Sequence, residues 1–284
     1  MGVLLALASA VSYGLSDFLG GVLSRRASFL RVALLGQVGG LVSMALLAPV
    51  FTATVPAVSG LAWGGLSGIG TGLGMMFLFR GMSRGAISVV VPVSAIGGVA
   101  LPVLVDVIAF GGRPAPAAWA GTALALPALW AVSRGRAGDG HAPRGAVIDG
   151  LVSGAGIAWQ YLALAQASPA SDAWPVVAGR VTSIITIAVL GAALYLSATP
   201  RAEHGHRRGI DVAAAIAGAL AGLALLCYLL ATRTELITIA VVLSSLYPVV
   251  PVLLGLTVLR ERLTPYQSFG LAGALAASVL IATA

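Results

Sequence analysis

The feature that most constrains this sequence is a series of long apolar runs with almost no charge inside them. Such runs continue without polar interruption, for example over residues 187–196 and 213–226. A helix needs about 20 apolar residues to cross a bilayer core. A strand of a membrane barrel would instead show about ten residues of alternating apolar and polar character. The runs therefore predict membrane-spanning helices.

Composition indicates how much of the chain lies in the membrane. The chain has 284 residues, of which 59% are hydrophobic and 9% are charged, too few polar groups to cover a water-soluble surface. We therefore predict an all-α integral membrane protein of about ten transmembrane helices in a lipid bilayer. The ten apolar runs lie at about 2–23, 29–50, 60–82, 86–110, 117–133, 145–167, 172–197, 210–232, 236–258 and 263–283.

The two halves of the chain match each other in sequence at nearly constant shifts. The matches are Gly36 with Gly179, Gln37 with Arg180 and Asp17 with Gln160 at a shift of 143 residues, and Gly68 with Gly218 and Ser94 with Ser244 at a shift of 150. An odd number of helices in each copy makes the second copy enter from the opposite side. We predict two inverted five-helix repeats, residues 1–133 and 145–284, joined by a polar linker at 134–144.

The arginines predict the orientation in the membrane. All 16 basic residues are arginine, and thirteen of them lie in the connections after helices 1, 3, 5, 7 and 9. The positive-inside rule places these connections in the cytoplasm, with both termini on the other side of a bacterial plasma membrane. The net charge of +7 is thereby explained by topology, and no nucleic-acid partner is expected.

Two segments resemble the EamA-type members of the drug/metabolite transporter superfamily. Residues 259–267, LRERLTPYQ, with Gly270 and Gly273 after them, are similar to a GERLT…Q…G…G pattern that joins the last two helices of each repeat in that family. Residues 10–18, AVSYGLSDF, are similar to the family's first helix. The resemblance implies a ten-helix inverted-repeat fold with a central cavity. It also implies amino acids, other metabolites or drugs as substrates.

Two charged residues lie inside predicted spans, where a charge costs about 2.5–3.5 kcal/mol on insertion scales. Arg180 could bind a substrate carboxylate or phosphate, or it could form a structural ion pair. Asp17 follows Tyr13 by one helical turn and could carry a coupling proton. The alternative for Asp17 is a helix-end pair with Arg25 or Arg26.

An inverted-repeat transporter forms its binding site where equivalent helices meet. Serines beside prolines in helices 4 and 9 add hydroxyl groups near backbone carbonyls that proline leaves free. The candidate substrate-binding residues are therefore Arg180, Gln160, Asp17, Gln37, Tyr13, Trp159, Ser94, Ser244 and Tyr247.

Other polar residues predict no further chemistry. Three histidines, His141, His204 and His206, lie in polar loops without the ligand spacing of a metal site, so neither a metal nor another cofactor is expected. Glu261 stands between two arginines, which predicts a local ion pair in the loop.

The expected function is transport. The sequence has no phosphate-binding GxxxxGK[ST] loop, no HExxH and no GxSxG, so neither ATP-driven transport nor an enzyme is expected. We predict a secondary transporter, as an exporter of small organic metabolites such as amino acids, working by alternating access as a monomer or homodimer. The alternative is an efflux transporter for lipophilic cations centred on Asp17, with an intramembrane enzyme as a less favoured third reading.

Overall fold

The computed structural model describes residues 2–51, 57–111, 113, 115–133, 144–167, 171, 173–197, 208–234, 243–244 and 246–283. Every regular element in these ranges is a helix, which confirms the all-α prediction. The helices are α1 (Gly2–Ser24), α2 (Phe29–Phe51), α3 (Val58–Arg84), α4 (Ile87–Phe110), α5 (Pro116–Ser133), α6 (Arg144–Ala165), α7 (Trp174–Ser197), α8 (Arg208–Thr234), α9 (Val249–Thr257) and α10 (Pro265–Ala282).

Most helices follow the predicted apolar runs closely. Among the described residues, seven helices are long and apolar enough to cross a membrane: α1 to α4 and α6 to α8. The ninth run was expected at 236–258, but the described helix in it is the shorter α9, and residues 235–242 lie outside the description. Residues 134–143 of the predicted linker and the three loop histidines also lie outside it.

The start of α10 explains the resemblance motif in physical terms. The Thr264 hydroxyl accepts a hydrogen bond from the backbone N–H of Gln267, and the Gln267 side chain accepts one from the backbone N–H of Thr264. Pro265 occupies the first helical position, where a missing N–H costs nothing. This capping box satisfies two backbone donors that would otherwise be unpaired.

Helices from the two halves of the chain mix in the packing. α1 and α2 pack against α8, and α1 also packs against α9. We call these four helices bundle A. α3 packs against α6 and α7, and α4 packs against α6; these four helices form bundle B. α5 and α10 pack against each other and against α4.

Glycines allow the closest contacts within each bundle. In bundle A, a Cβ atom on Gly218 would overlap the backbone of Gly36. In bundle B, a Cβ atom on Gly68 would overlap the backbone of Gly179. Small residues let helix backbones approach closely in a membrane, where lipid gives no hydrophobic driving force. The shift of 143 residues relates Gly36 to Gly179, and the shift of 150 residues relates Gly68 to Gly218. The glycine contact in bundle A therefore corresponds to the glycine contact in bundle B.

Most of the charged residues in the described part of the chain lie at one end of the helices. This arginine-rich face is the end where α1, α3 and α9 finish and where α2, α4, α6 and α8 begin. Two ion-pair contacts there each tie helices of the same bundle. Arg31 Nη2 lies 2.7 Å from Asp211 Oδ2, joining α2 to α8, and the Arg80 Nε–H donates to Asp149 Oδ1 at 3.0 Å, joining α3 to α6.

The local pair expected for Glu261 is wrong. Its Oε1 atom lies 2.7 Å from Nη2 of Arg25, a residue 236 positions away in the chain. The carboxylate points away from its sequence neighbours because it also accepts hydrogen bonds from the first residues of α4.

Candidate functional site

Arg180 and Gln37 meet where α7 packs against α2. The Arg180 Nη1–H group donates to Gln37 Oε1 at 2.7 Å, and the two residues are 9% and 2% exposed. Gly40 leaves room for the guanidinium, because a Cβ atom there would lie only 3.2 Å from Arg180 Cζ. The pair joins bundle B to bundle A in the interior of the protein.

Ser183 belongs to the same cluster, although sequence reasoning did not select it. Its hydroxyl is fully buried and lies 3.0 Å from Gln37 Oε1 and 2.8 Å from the Arg180 carbonyl oxygen. The available signal was its position three residues after Arg180, which puts both on one helix face. No carboxylate in the described part of the chain pairs with Arg180, so this buried cation faces a neutral amide.

Asp17 and Tyr13 form a second group on α1. Asp17 is 7% exposed, and no described residue donates a hydrogen bond to it. Arg25, a partner considered from the sequence, pairs with Glu261. The ring centroid of Tyr13 lies 6.2 Å from that of Tyr247. Tyr13 lies near both Arg180 and Asp17.

Two more tyrosines face the same region. Tyr161 on α6 and Tyr228 on α8 both lie near Tyr13. Tyr161 also lies near Asp17, and it is 52% exposed. Tyr228 gave no sequence signal, because a tyrosine in an apolar run is as typical of a lipid interface as of a cavity.

The space beside the Arg180–Gln37 pair is small in this conformation. A cavity of about 10 Å³ adjoins the pair, and side chains from both bundles wall it, among them Ser16 and Ala217 from bundle A and Met75 and Phe79 from bundle B. A cavity of this size has room for about one water molecule. This cavity is too small for a solute as large as an amino acid.

The two predicted serines make hydrogen bonds away from the Arg180–Gln37 pair. Ser94 Oγ lies 2.8 Å from Ser153 Oγ, between α4 and α6. Ser244 Oγ donates to the carbonyl oxygen of Ala6 on α1 at 3.4 Å. Neither hydroxyl contacts the Arg180–Gln37 pair, and a substrate-binding role for them stays a prediction.

Gln160 and Trp159 lie on the side of α6 that faces α3. A Cβ atom on Gly70 of α3 would lie 2.7 Å from the Gln160 backbone nitrogen. The Trp159 Nε1–H group donates to the carbonyl oxygen of Leu66 at 3.1 Å, and the residue is 49% exposed. The structure brings neither side chain into a described hydrogen bond with Asp17, Gln37 or Arg180, and their binding role also stays a prediction.

Comparison with known families decides the class of the protein. Residues 146–283, which run from α6 to α10, match the model of the EamA-like transporter family. This half of the chain belongs to the EamA-like transporter family. The EamA-like half contains Arg180, Gln160, Trp159, Ser244 and Tyr247, and the preceding half contains the other predicted site residues. Family membership indicates a membrane transporter of small molecules, consistent with the seven apolar helices.

The fold of the chain is similar to that of a solved structure over nearly its whole length. One crystal structure aligns with a TM-score of 0.54 over 96% of each chain, at 20% sequence identity. At this identity the likeness supports the fold alone. No curated protein matches the sequence.

Proposed function

We propose that this EamA-like transporter is a secondary transporter that exports small organic metabolites bearing a carboxylate, such as amino acids. The observation that carries the proposal is Arg180, a buried guanidinium whose described side-chain partners are neutral. A buried cation without a counter-ion is costly to keep. A substrate carboxylate would supply the missing charge through a charge-assisted hydrogen bond.

In our proposal the transporter crosses a bacterial plasma membrane ten times. Its two inverted repeats, residues 1–133 and 145–284, provide alternating access. The interchange of the Gly36–Gly218 and Gly179–Gly68 contacts by the repeat shifts supports this symmetry. Gln37 and Arg180 are themselves related by the shift of 143 residues and contact each other. Two equivalent residues can touch only near the axis that relates the repeats. The site therefore lies where movement of the bundles opens and closes it.

The groups around Tyr13 extend the site from one charge to two. The Asp17 carboxylate can accept a hydrogen bond from the ammonium group of an amino acid, while Arg180 binds the carboxylate of the same amino acid. Without substrate, Asp17 could instead take up the coupling proton, since an unpaired buried carboxylate is costly in ionised form. Both roles use the side of α1 that carries Tyr13, and a monomer or homodimer could perform them.

The test measures binding and transport in three arginine variants. Arg180→Ala should weaken binding of a carboxylate-bearing substrate on the order of 100-fold, because a buried charge pair is lost. Binding is read from the rise in apparent unfolding temperature with ligand, in a screen of amino acids and organic acids, and transport from uptake into proteoliposomes. Arg180→Lys should retain part of the binding. Arg26→Gln serves as the control and should retain all of it, because Arg26 is exposed in the loop after α1. Unchanged transport by a monodisperse Arg180→Ala protein would reject the role of Arg180.

Efflux of lipophilic cations is the second candidate. The observation that favours it is the group of tyrosines near Asp17, comprising Tyr13, Tyr161 and Tyr247, with Tyr228 beside Tyr13. Aromatic faces and a carboxylate attract organic cations. In this case Asp17→Asn would abolish binding of a cationic dye and Arg180→Ala would leave it intact.

A further inference from the structure

A polar junction separate from the Arg180–Gln37 pair connects the two bundles at the arginine-rich face. Arg25, at the end of α1 in bundle A, donates from Nε to the Met82 carbonyl oxygen at 3.1 Å and from Nη2 to the Gly85 carbonyl oxygen at 2.7 Å. Both acceptors lie at the end of α3 in bundle B. The same Nη2 atom contacts Glu261 at 2.7 Å.

Glu261 makes the other half of this junction. Its carboxylate follows α9 of bundle A and accepts from the N–H groups of Ile87 and Ser88, each at 3.0 Å, and from Ser88 Oγ at 2.7 Å. These donors form the first turn of α4 in bundle B. A carboxylate at a helix N-terminus is favourable because the unpaired N–H groups and the helix dipole both attract it. Arg25 and α4 thus hold the same carboxylate from opposite bundles.

An apolar contact closes the space beneath the junction. The largest cluster of buried apolar side chains contains Phe18 and Val32 from bundle A and Phe79, Met82 and Ile87 from bundle B. Val32 and Phe79 also wall the small cavity beside Arg180. The cluster therefore separates the candidate site from the arginine-rich face.

The repeat does not supply a matching junction at the other face. A shift of 149 residues relates Glu261 to Gly112, and a shift of 143 relates Arg25 to Ser168. In an inverted repeat, equivalent residues lie at opposite faces. By sequence, the equivalent residues carry no charge, so the repeat does not reproduce the Arg25–Glu261 pair.

We propose that Arg25 and Glu261 form the gate that holds the arginine-rich face closed, and that substrate passes this face only after Glu261 leaves the first turn of α4. This inference rests on the alternating access proposed above. The contacts that cross between the bundles are those of Arg25 with the end of α3 and of Glu261 with the first turn of α4. The ion pairs Arg31–Asp211 and Arg80–Asp149 differ in role, because each joins two helices of the same bundle. Removing the contact of Glu261 with α4 favours the state open at this face, and breaking the Arg31–Asp211 pair does not.

The experiment measures the separation of the bundles at the arginine-rich face. Cys227, the one cysteine, is replaced by serine, and spin labels are attached through Ser28→Cys at the start of α2 and Gly145→Cys at the start of α6. Ser28 is exposed, and a side chain at Gly145 meets no atom within 4 Å. Distances are measured by pulsed electron resonance on the full chain in lipid nanodiscs, without substrate.

We expect the parent protein to give mainly the short distance. Glu261→Gln should raise the population at longer distance roughly five- to tenfold, because one charge-assisted junction is lost. Ser88→Ala removes only one donor and should shift the distribution in the same direction by less, which keeps the test open if Glu261→Gln does not fold. Asp211→Asn is the matched control and should leave the distribution unchanged.

Two results would overturn the gate. One is an unchanged distance distribution in folded Glu261→Gln and Ser88→Ala. The other is an equal shift in Asp211→Asn, which would indicate general loosening of the helices. Since the distances need no substrate, failure of the Arg180 transport test would not affect this outcome, and a missing gate would leave the Arg180 result standing.

Discussion

Arg260 is held in a backbone conformation that suits glycine. It follows α9 with a φ of 54°, and it is the one non-glycine residue with positive φ in the described part of the chain. The left-handed region costs a side-chain-bearing residue about 1–2 kcal/mol. The turn is retained because it directs Glu261 towards α4. Arg260→Gly should therefore stabilise the protein by about 0.5–1 kcal/mol, less than the full strain because glycine also gains freedom when unfolded.

The measurement is equilibrium unfolding in detergent, with Arg262→Gly as the control. Arg262 is exposed two residues further on and has no such backbone conformation, so its replacement should not stabilise the protein. Equal effects of the two variants would show that charge, and not backbone strain, limits stability here.

At the level of single residues, the sequence selected Gln37 and Arg180 through their match at a shift of 143 residues, and the structure places the two in contact. Their role in binding substrate stays a prediction. The partner of Glu261 could not be predicted, since the Arg25 contact spans 236 positions and depends on how α1 and α9 pack. Nearby arginines made a local pair the simpler expectation.

Helix pairing depends on glycines at the contacts, and this gives a prediction for elements. Gly218→Ala in α8 places a Cβ atom against the Gly36 backbone, so α2 and α8 must move apart. We expect a loss of about 1–3 kcal/mol in unfolding free energy, the usual cost of overpacking. Gly209→Ala on the same helix meets no atom within 4 Å and should be neutral or slightly stabilising through helix propensity.

The equivalent substitution in bundle B makes the test stricter. Gly68→Ala meets the Gly179 backbone in α3–α7 packing and should cost about as much as Gly218→Ala. Both are measured by unfolding in mixed detergent. The proposed equivalence of the repeats would lose its support if one variant destabilised strongly and the other behaved like Gly209→Ala.

For the molecule as a whole, the sequence predicted the helices but not how they divide into bundles, and the inverted repeat stays a prediction. In a soluble protein the apolar stripe of a helix shows which side packs. Here both lipid and protein contacts are apolar, and residues such as Leu46 and Leu126 are 70% exposed. Hydrophobic pattern therefore carries little information about partners, and only the glycine positions do. Nothing in the sequence of α8 itself indicates that this helix of the second half packs against α1 and α2 of the first half.

Acidification should weaken the closure of the arginine-rich face. Burial alone would raise the pKa of Glu261, but hydrogen bonds from Ser88, Arg25 and Ile87 outweigh it and lower the pKa below its usual value. A carboxyl whose folded pKa is lowered adds stability above its unfolded pKa, about 4.3 for glutamate, and loses it as the pH falls through the folded pKa. The parent protein should thus exceed Glu261→Gln in stability by about 1–2 kcal/mol at pH 6–8. Unfolding measured from pH 3 to 8 should show this difference shrinking below about pH 4. A difference that stays constant down to pH 3 would mean that the ionised carboxylate contributes nothing and that Glu261 acts through its shape alone.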